Sequence, residues 1–150
     1  KQDLIHGLGI AANLDSRIVI EKSISARELE CAILGTKVIA SSCVGEVRYK
    51  SDWYDYETKY SNNSNEVIIP ARIPDIIAKK IQELSLIACK TISVEGIARV
   101  DFFYEEEQER LWINEINTIP GFTSQSMYPM LWEASGINLS QLVARLVESA

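Results

Sequence analysis

The spacing of apolar positions along this chain changes several times, and each change marks an element. Leu4, Ile5, Leu8, Ala11 and Ala12 recur at helical spacing, with Asn13 and Asp15 as the exit. Arg17-Ile18-Val19-Ile20-Glu21 then reads as a strand. From Glu28 to Arg48 the chain is rich in Ile, Val and small residues broken by Gly35 and Gly45, which predicts a hairpin of two or three strands. Ser51 to Asn65 sets Trp53, Tyr54, Tyr56 and Tyr60 among polar residues with no sustained period, and reads as a long mobile surface loop. Pro74 and Asp75 open the clearest helix, striped by Ile76, Ile77, Ile81, Leu84, Ile87, Ala88 and Ile92.

A second hairpin follows, with strands Ile97 to Tyr104 and Leu111 to Asn117 about the turn Glu105 to Arg110. The Gly-, Pro- and Ser-rich stretch from Thr118 to Ser126 leads into a short helix ending near Gly136. Leu139, Leu142, Val143, Leu146 and Val147 stripe a last helix. Strands in runs, with helices packed on them and no regular βαβ alternation, predict an α+β fold with a largely antiparallel sheet.

Composition narrows the function classes. A chain of 150 residues, 47% hydrophobic, can bury one sizeable core. Its net charge of -6 lacks the clustered basic face that nucleic acid requires, so no nucleic-acid partner is expected. Cys31, Cys43 and Cys89 are odd in number and without C-x-x-C spacing, and read as reduced core thiols. No apolar run is long enough to cross a bilayer and no leader is evident, so a cytoplasmic location without membrane partners is expected. The opening Lys1-Gln2-Asp3-Leu4, without Met and within helical spacing, reads as a piece cut from a longer chain.

The second hairpin carries the chemistry. Residues two apart on a strand share a face, so Arg99 goes with Asp101 and Glu115 with Asn117. Folding about residue 108 sets Asp101 opposite Glu115, where two like charges are destabilising unless a cation neutralises them. Two carboxylates and an amide oxygen form a hard donor set suited to Mg²⁺. The following Pro120-Gly121-Phe122-Thr123-Ser124 offers backbone amides to negative charge. On the residues alone two readings stay open: a metal–phosphate site, or solvated acids on an exposed hairpin face.

Arg99-Val100-Asp101-Phe102-Phe103, with Asn114-Glu115-Ile116-Asn117-Thr118-Ile119-Pro120-Gly121-Phe122-Thr123-Ser124-Gln125-Ser126-Met127-Tyr128-Pro129, resembles the D-alanine–D-alanine ligases of the ATP-grasp superfamily. Tyr54 to Tyr60 is similar to that family's mobile loop, and Glu21 to Glu28 to its adenosine-binding segment. The resemblance implies an ATP-grasp C-terminal subdomain within an ATP-dependent ligase. That enzyme would join two D-alanine molecules through an acyl phosphate, for peptidoglycan precursor synthesis.

It implies Asp101, Glu115 and Asn117 as ligands of two Mg²⁺ ions, or Mn²⁺ in their place. Arg99 and the Gly121 amide would stabilise the tetrahedral oxyanion, Ser126 would hold the second substrate's carboxylate, and Tyr60 would close over the substrates. Lys59 would reach the terminal phosphates. Glu21, Lys22, Ile24 and Asn114 would meet the nucleotide, and Glu28 its ribose. Tyr60 and Met127 would favour D-alanine over D-lactate and D-serine as second substrate.

A homodimer is expected of the full-length enzyme. Its N-terminal domain and most of its central subdomain, with further phosphate-binding lysines, would lie outside residues 1–150, leaving this piece inactive alone. The alternatives are another ATP-grasp ligase of a carboxylate and an amine, or a non-catalytic nucleotide- and metal-binding domain.

Overall fold

The computed structural model describes residues 2–49 and 65–149. A five-stranded, all-antiparallel sheet organises them, built from β1 (Arg27–Gly35), β2 (Ile39–Tyr49), β3 (Asn65–Ile68), β4 (Gly96–Glu105) and β5 (Arg110–Asn117). Its order is β3-β2-β1-β4-β5, so both predicted hairpins form and then pair through β1 and β4. The described helices are α1 (Gln2–Ala12), α2 (Asp75–Thr91), α3 (Met127–Ala134) and α4 (Leu139–Ser149). The α+β expectation holds.

Period-two alternation splits the sheet's side chains between two layers. On one face Leu29, Cys31, Ile33, Val44, Ala98, Val100, Phe102 and Tyr104 are buried beneath α2, which contributes Ile81 and Cys89. On the other, Ala32, Leu34 and Val47 meet Met127, Tyr128, Leu131 and Trp132 of α3 and Leu142 of α4. The thiols behave as read, Cys31 and Cys89 being buried and Cys43 half-buried. Close packing of α3 depends on Gly45: a Cβ there would lie 2.7 Å from Met127 Cε and 2.8 Å from Leu131 Cδ2. The missing side chain lets the helix rest on the backbone of β2.

Beneath the α2 layer sits a buried charge. Glu46 on β2 is 1% exposed and accepts hydrogen bonds from Arg27 (2.9 and 2.7 Å) and Arg48 (2.9 and 3.2 Å). Arg27 also donates to Glu106 at 2.8 Å and to the Arg72 carbonyl at 2.9 Å. A buried carboxylate persists only when paired in this way. Burial works against its ionisation, but the hydrogen bonds and charges of Arg27 and Arg48 outweigh that and hold its carboxyl below the ordinary value.

Three expectations are corrected. Arg17 to Glu21 is not a strand but part of an irregular stretch; Val19 is 82% exposed, and among the described residues no strand pairs with it to supply the ladder a strand needs. The stripe on α2 is narrower than its apolar residues suggest, because one helix laid on a sheet covers only part of its circumference; Ile76, Ile87 and Ile92 face outward. On α4 likewise only Leu142 is fully buried. The expected loop from Ser51 to Asn65 lies outside the described residues, except that Asn65 begins β3 and pairs with Tyr49.

Candidate active site

On the α3 side of the sheet, side chains fall into three cross-strand rows, about 6–7 Å apart because two residues of strand separate them. Ala32, Arg99 and Asn117 form the first row; Glu30, Asp101 and Glu115 the second; Glu28, Phe103 and Trp112 the third. A β-bulge makes the third row possible. Glu115 pairs with Asp101 but Ile113 pairs with Phe102, so Asn114 is an extra residue and Trp112 comes round to the face of Glu115. The expected opposition of Asp101 and Glu115 is present, with Arg99 and Asn117 beside them.

Arg99 is 16% exposed and gives both arms of its guanidinium to Asp101, Nε to Oδ1 at 2.7 Å and Nη2 to Oδ2 at 2.7 Å. Glu30 Oε2 lies 3.0 Å from the same Nε. Burial disfavours the charge of Arg99, but Asp101, Glu30 and Glu115 together raise its pKa further above its ordinary value. Asp101 is pushed upward, first by burial and then by the Glu115 carboxylate, against the hydrogen bonds and charge of Arg99. A cation between Asp101 and Glu115 would relieve both causes.

The donors suit Mg²⁺. Asn117 Oδ1 accepts the Ile119 N–H at 3.1 Å, which fixes its orientation and leaves a second lone pair. Among the described residues no group of three or more His, Cys, Asp or Glu side chains converges as a metal cage. Two carboxylates and an amide, completed by phosphate oxygens and water, match the way Mg²⁺ is usually held.

The turn after β5 is built around Ser126. Its Oγ accepts the Thr123 N–H at 3.1 Å and lies 2.9 Å from Thr123 Oγ1. A Cβ on Gly121 would stand 2.9 Å from that Oγ, so glycine lets the turn close against it. Ser126 immediately precedes α3, which is anchored through Met127 and Leu131 over Gly45. Met127 therefore packs α3 on the sheet, and is 9% exposed.

Toward the hairpin turn, Glu28 is half-buried at the start of β1. Glu21 and Lys22 are exposed and Ile24 half-buried in the irregular stretch leading to it. Glu21 also lines a groove of about 310 Å³ with Leu4, Leu8 and Ile20. The hydrogen bond from Trp112 Nε1, at 2.7 Å, is the main cause that holds the Glu105 carboxyl below its ordinary value, with Arg110 and Lys22 assisting. The turn acids are thus not all merely solvated: Glu105 holds Trp112, and Glu106 holds Arg27. Asn114 is exposed at the bulge. Lys59 and Tyr60 lie outside the described residues. Sequence reasoning missed Glu30, although period two from Glu28 would have placed it on the site face.

Comparison with known proteins gives the family and the fold. The family model for the D-ala D-ala ligase C-terminus matches residues 1–148. The chain is 70% identical over its whole length to a D-alanine–D-alanine ligase of Prochlorococcus marinus, covering 43% of that protein, and 58% identical to one of Parasynechococcus marenigrum, covering 42%. Among solved structures, VanG D-Ala:D-Ser ligase from Enterococcus faecalis superimposes with a TM-score of 0.87 at 35% identity, over 99% of this chain and 43% of that one. The D-alanine–D-alanine ligase from Bacillus anthracis complexed with ATP gives 0.81 at 29% identity, over 99% and 47%. The chain thus spans less than half the length of these relatives, and it belongs to the D-alanine–D-alanine ligase family, whose C-terminal part it represents.

Proposed function

We propose that this chain supplies the metal- and phosphate-handling face of an enzyme that joins two D-alanine molecules at the expense of ATP. The observation that carries this is the three-row face: Arg99 and Asn117, then Asp101 and Glu115, then Glu28 beside Phe103 and Trp112, with the Gly121–Ser126 turn following β5. ATP is supported by the relative crystallised with it, and D-alanine by the names of the relatives.

In this reading Asp101, Glu115 and Asn117 hold two Mg²⁺ ions, for which Mn²⁺ can substitute, and Glu21, Lys22, Ile24, Glu28 and Asn114 hold the nucleotide. When bound, the ions neutralise charge on the β- and γ-phosphates. The first D-alanine's carboxylate oxygen takes the γ-phosphoryl group, giving an acyl phosphate and ADP. The second D-alanine's amine adds to the acyl carbon, and phosphate leaves as the C–N bond is completed and the amine gives up its proton. Arg99 and the Gly121 N–H face the oxyanion of that addition, where preorganised donors are worth most. The Ser126 hydroxyl orients the second carboxylate.

Lys59 and Tyr60 belong to the same proposal, on the resemblance of their segment. The first-substrate contact and further phosphate-binding lysines are assigned to the portion of the relatives that this chain does not span. A cytoplasmic homodimer serving peptidoglycan precursor synthesis completes the reading. No described helix is long and apolar enough to cross a membrane.

The test is phosphate release by the full-length protein with ATP and Mg²⁺, with and without D-alanine, alongside Glu115→Gln. D-Alanine-dependent release that Glu115→Gln abolishes is expected. Release indifferent to D-alanine would refute the substrate, and an unaffected variant would refute the metal assignment.

A further inference from the structure

The second row holds one more carboxylate than the metal site uses. Glu30, on β1 opposite Asp101, is 8% exposed, and its Oε2 stands 3.0 Å from Arg99 Nε. That nitrogen carries a single proton, already donated to Asp101 Oδ1 at 2.7 Å, and Glu30 Oε2 receives no hydrogen bond from it. On the β1 side Arg99 faces only the small Ala32, and its Nε lies within contact of both acids. Asp101 is then asked to serve two cations at once, and they repel one another across its oxygens. It clamps Arg99 with both oxygens, and in the reading above it must offer oxygen to a metal.

We infer that Glu30 is a positioning residue that accepts the Arg99 Nε–H hydrogen bond when Asp101 turns to the metal. The handover rests on the proposed metal site. It removes the difficulty that freeing Asp101 would strand a buried guanidinium, because a second carboxylate is already at contact distance. It also keeps Arg99 anchored beside Asn117 at the moment an oxyanion needs it. Without Glu30, a metal that weakens the bidentate pair leaves the Arg99 Nε–H with no second carboxylate to turn to. Supporting groups of this kind typically change metal affinity by about 10–100-fold.

The experiment is a Mn²⁺ titration of the full-length protein in saturating ADP, with free Mn²⁺ read by electron paramagnetic resonance, for the parent, Glu30→Gln, Glu30→Asp and Asp101→Asn. Glu30→Gln should bind about 10–100-fold more weakly. Glu30→Asp keeps the charge but loses the reach, and should be weakened to a similar degree. If Glu30→Asp matches the parent, Glu30 acts only as a distant charge and the handover is refuted, as it is if both variants match the parent. Asp101→Asn separates the layers: parental Mn²⁺ binding in that variant overturns the metal site and the handover together. Loss of binding there, with both Glu30 variants intact, overturns the handover alone. An independent readout is the Arg99 Nε–Hε resonance, assigned by its loss in Arg99→Lys. It should shift on Mn²⁺-free Mg²⁺–ADP addition in the parent as its acceptor changes, and an unmoved resonance in a metal-bound protein would refute the proposal even if Glu30→Gln fails to fold.

Discussion

Replacing Glu46 by Gln keeps the shape of a buried side chain and removes its charge. Arg27 and Arg48 together donate four hydrogen bonds to that carboxylate. Breaking a fully buried ion pair costs about 3–5 kcal/mol, but Arg48 is 47% exposed and recovers water, and Arg27 keeps Glu106 and the Arg72 carbonyl. The expected loss is therefore about 2–3 kcal/mol at neutral pH. At this chain length that corresponds to a fall in melting temperature of about 4–12 °C. The carboxyl's folded-state pKa lies below its ordinary 4.5, so its contribution is fully present above pH 4.5 and is lost as pH falls through the folded value. Urea unfolding of parent and variant from pH 7 to pH 3 measures both effects. The gap between them should be constant above pH 5 and close as the solution is acidified. A gap under about 0.5 kcal/mol at pH 7, or one that persists unchanged to pH 3, would refute the reasoning.

Gly45→Ala forces a methyl into Met127 and Leu131, and should cost about 1–3 kcal/mol in urea unfolding while disturbing the start of α3 where Ser126 sits. Gly121→Ala meets only the Ser126 side chain, Oγ at 2.9 Å and Cβ at 3.5 Å, so its unfolding midpoint should stay near the parent's while phosphate release with D-alanine falls. Glu115→Gln should lower that release by about two orders of magnitude, far more than Glu105→Gln, whose partners Trp112 and Arg110 lie at the hairpin end. In competition between equal D-alanine, D-serine and D-lactate at neutral pH, mass spectrometry should find D-alanyl-D-alanine dominant; dominance of either other product would overturn the substrate reading.

What could be read from the sequence was whatever local period determines. The hairpin carrying Asp101 and Glu115 was legible because strand alternation and a short polar turn fix the facing pairs, and counting about residue 108 gave the observed opposition. That same count fails beyond Asp101, because no feature of a single strand announces that Asn114 will be skipped by its neighbour. The pairing of β1 with β4 joins residues about seventy positions apart, so Glu30 beside Arg99 was invisible to any local argument. Arg17 to Glu21 shows the converse failure: β-branched residues favour a strand only where a partner exists. That Met127 also packs α3 against Gly45 was not legible, because Gly45 lies more than eighty residues away, on β2.

The extra residue at Asn114 acts as a phase shifter in β5. On its inner side Glu115 and Asn117 face the metal row, and on its outer side Trp112 and Arg110 keep that facing only because one residue goes uncounted. Were Asn114 paired with Phe102 in a regular ladder, the outer half of the strand would invert, sending the indole toward the α2 side and Ile113 into the place beside Phe103. An added residue is therefore accommodated at the Glu106–Gln108 turn, where it only lengthens an exposed loop, and not between Leu111 and Glu115, where a second residue would have to go unpaired to keep the facing. Homologous chains with a longer hairpin should take up the extra residues at the turn and not between Leu111 and Glu115.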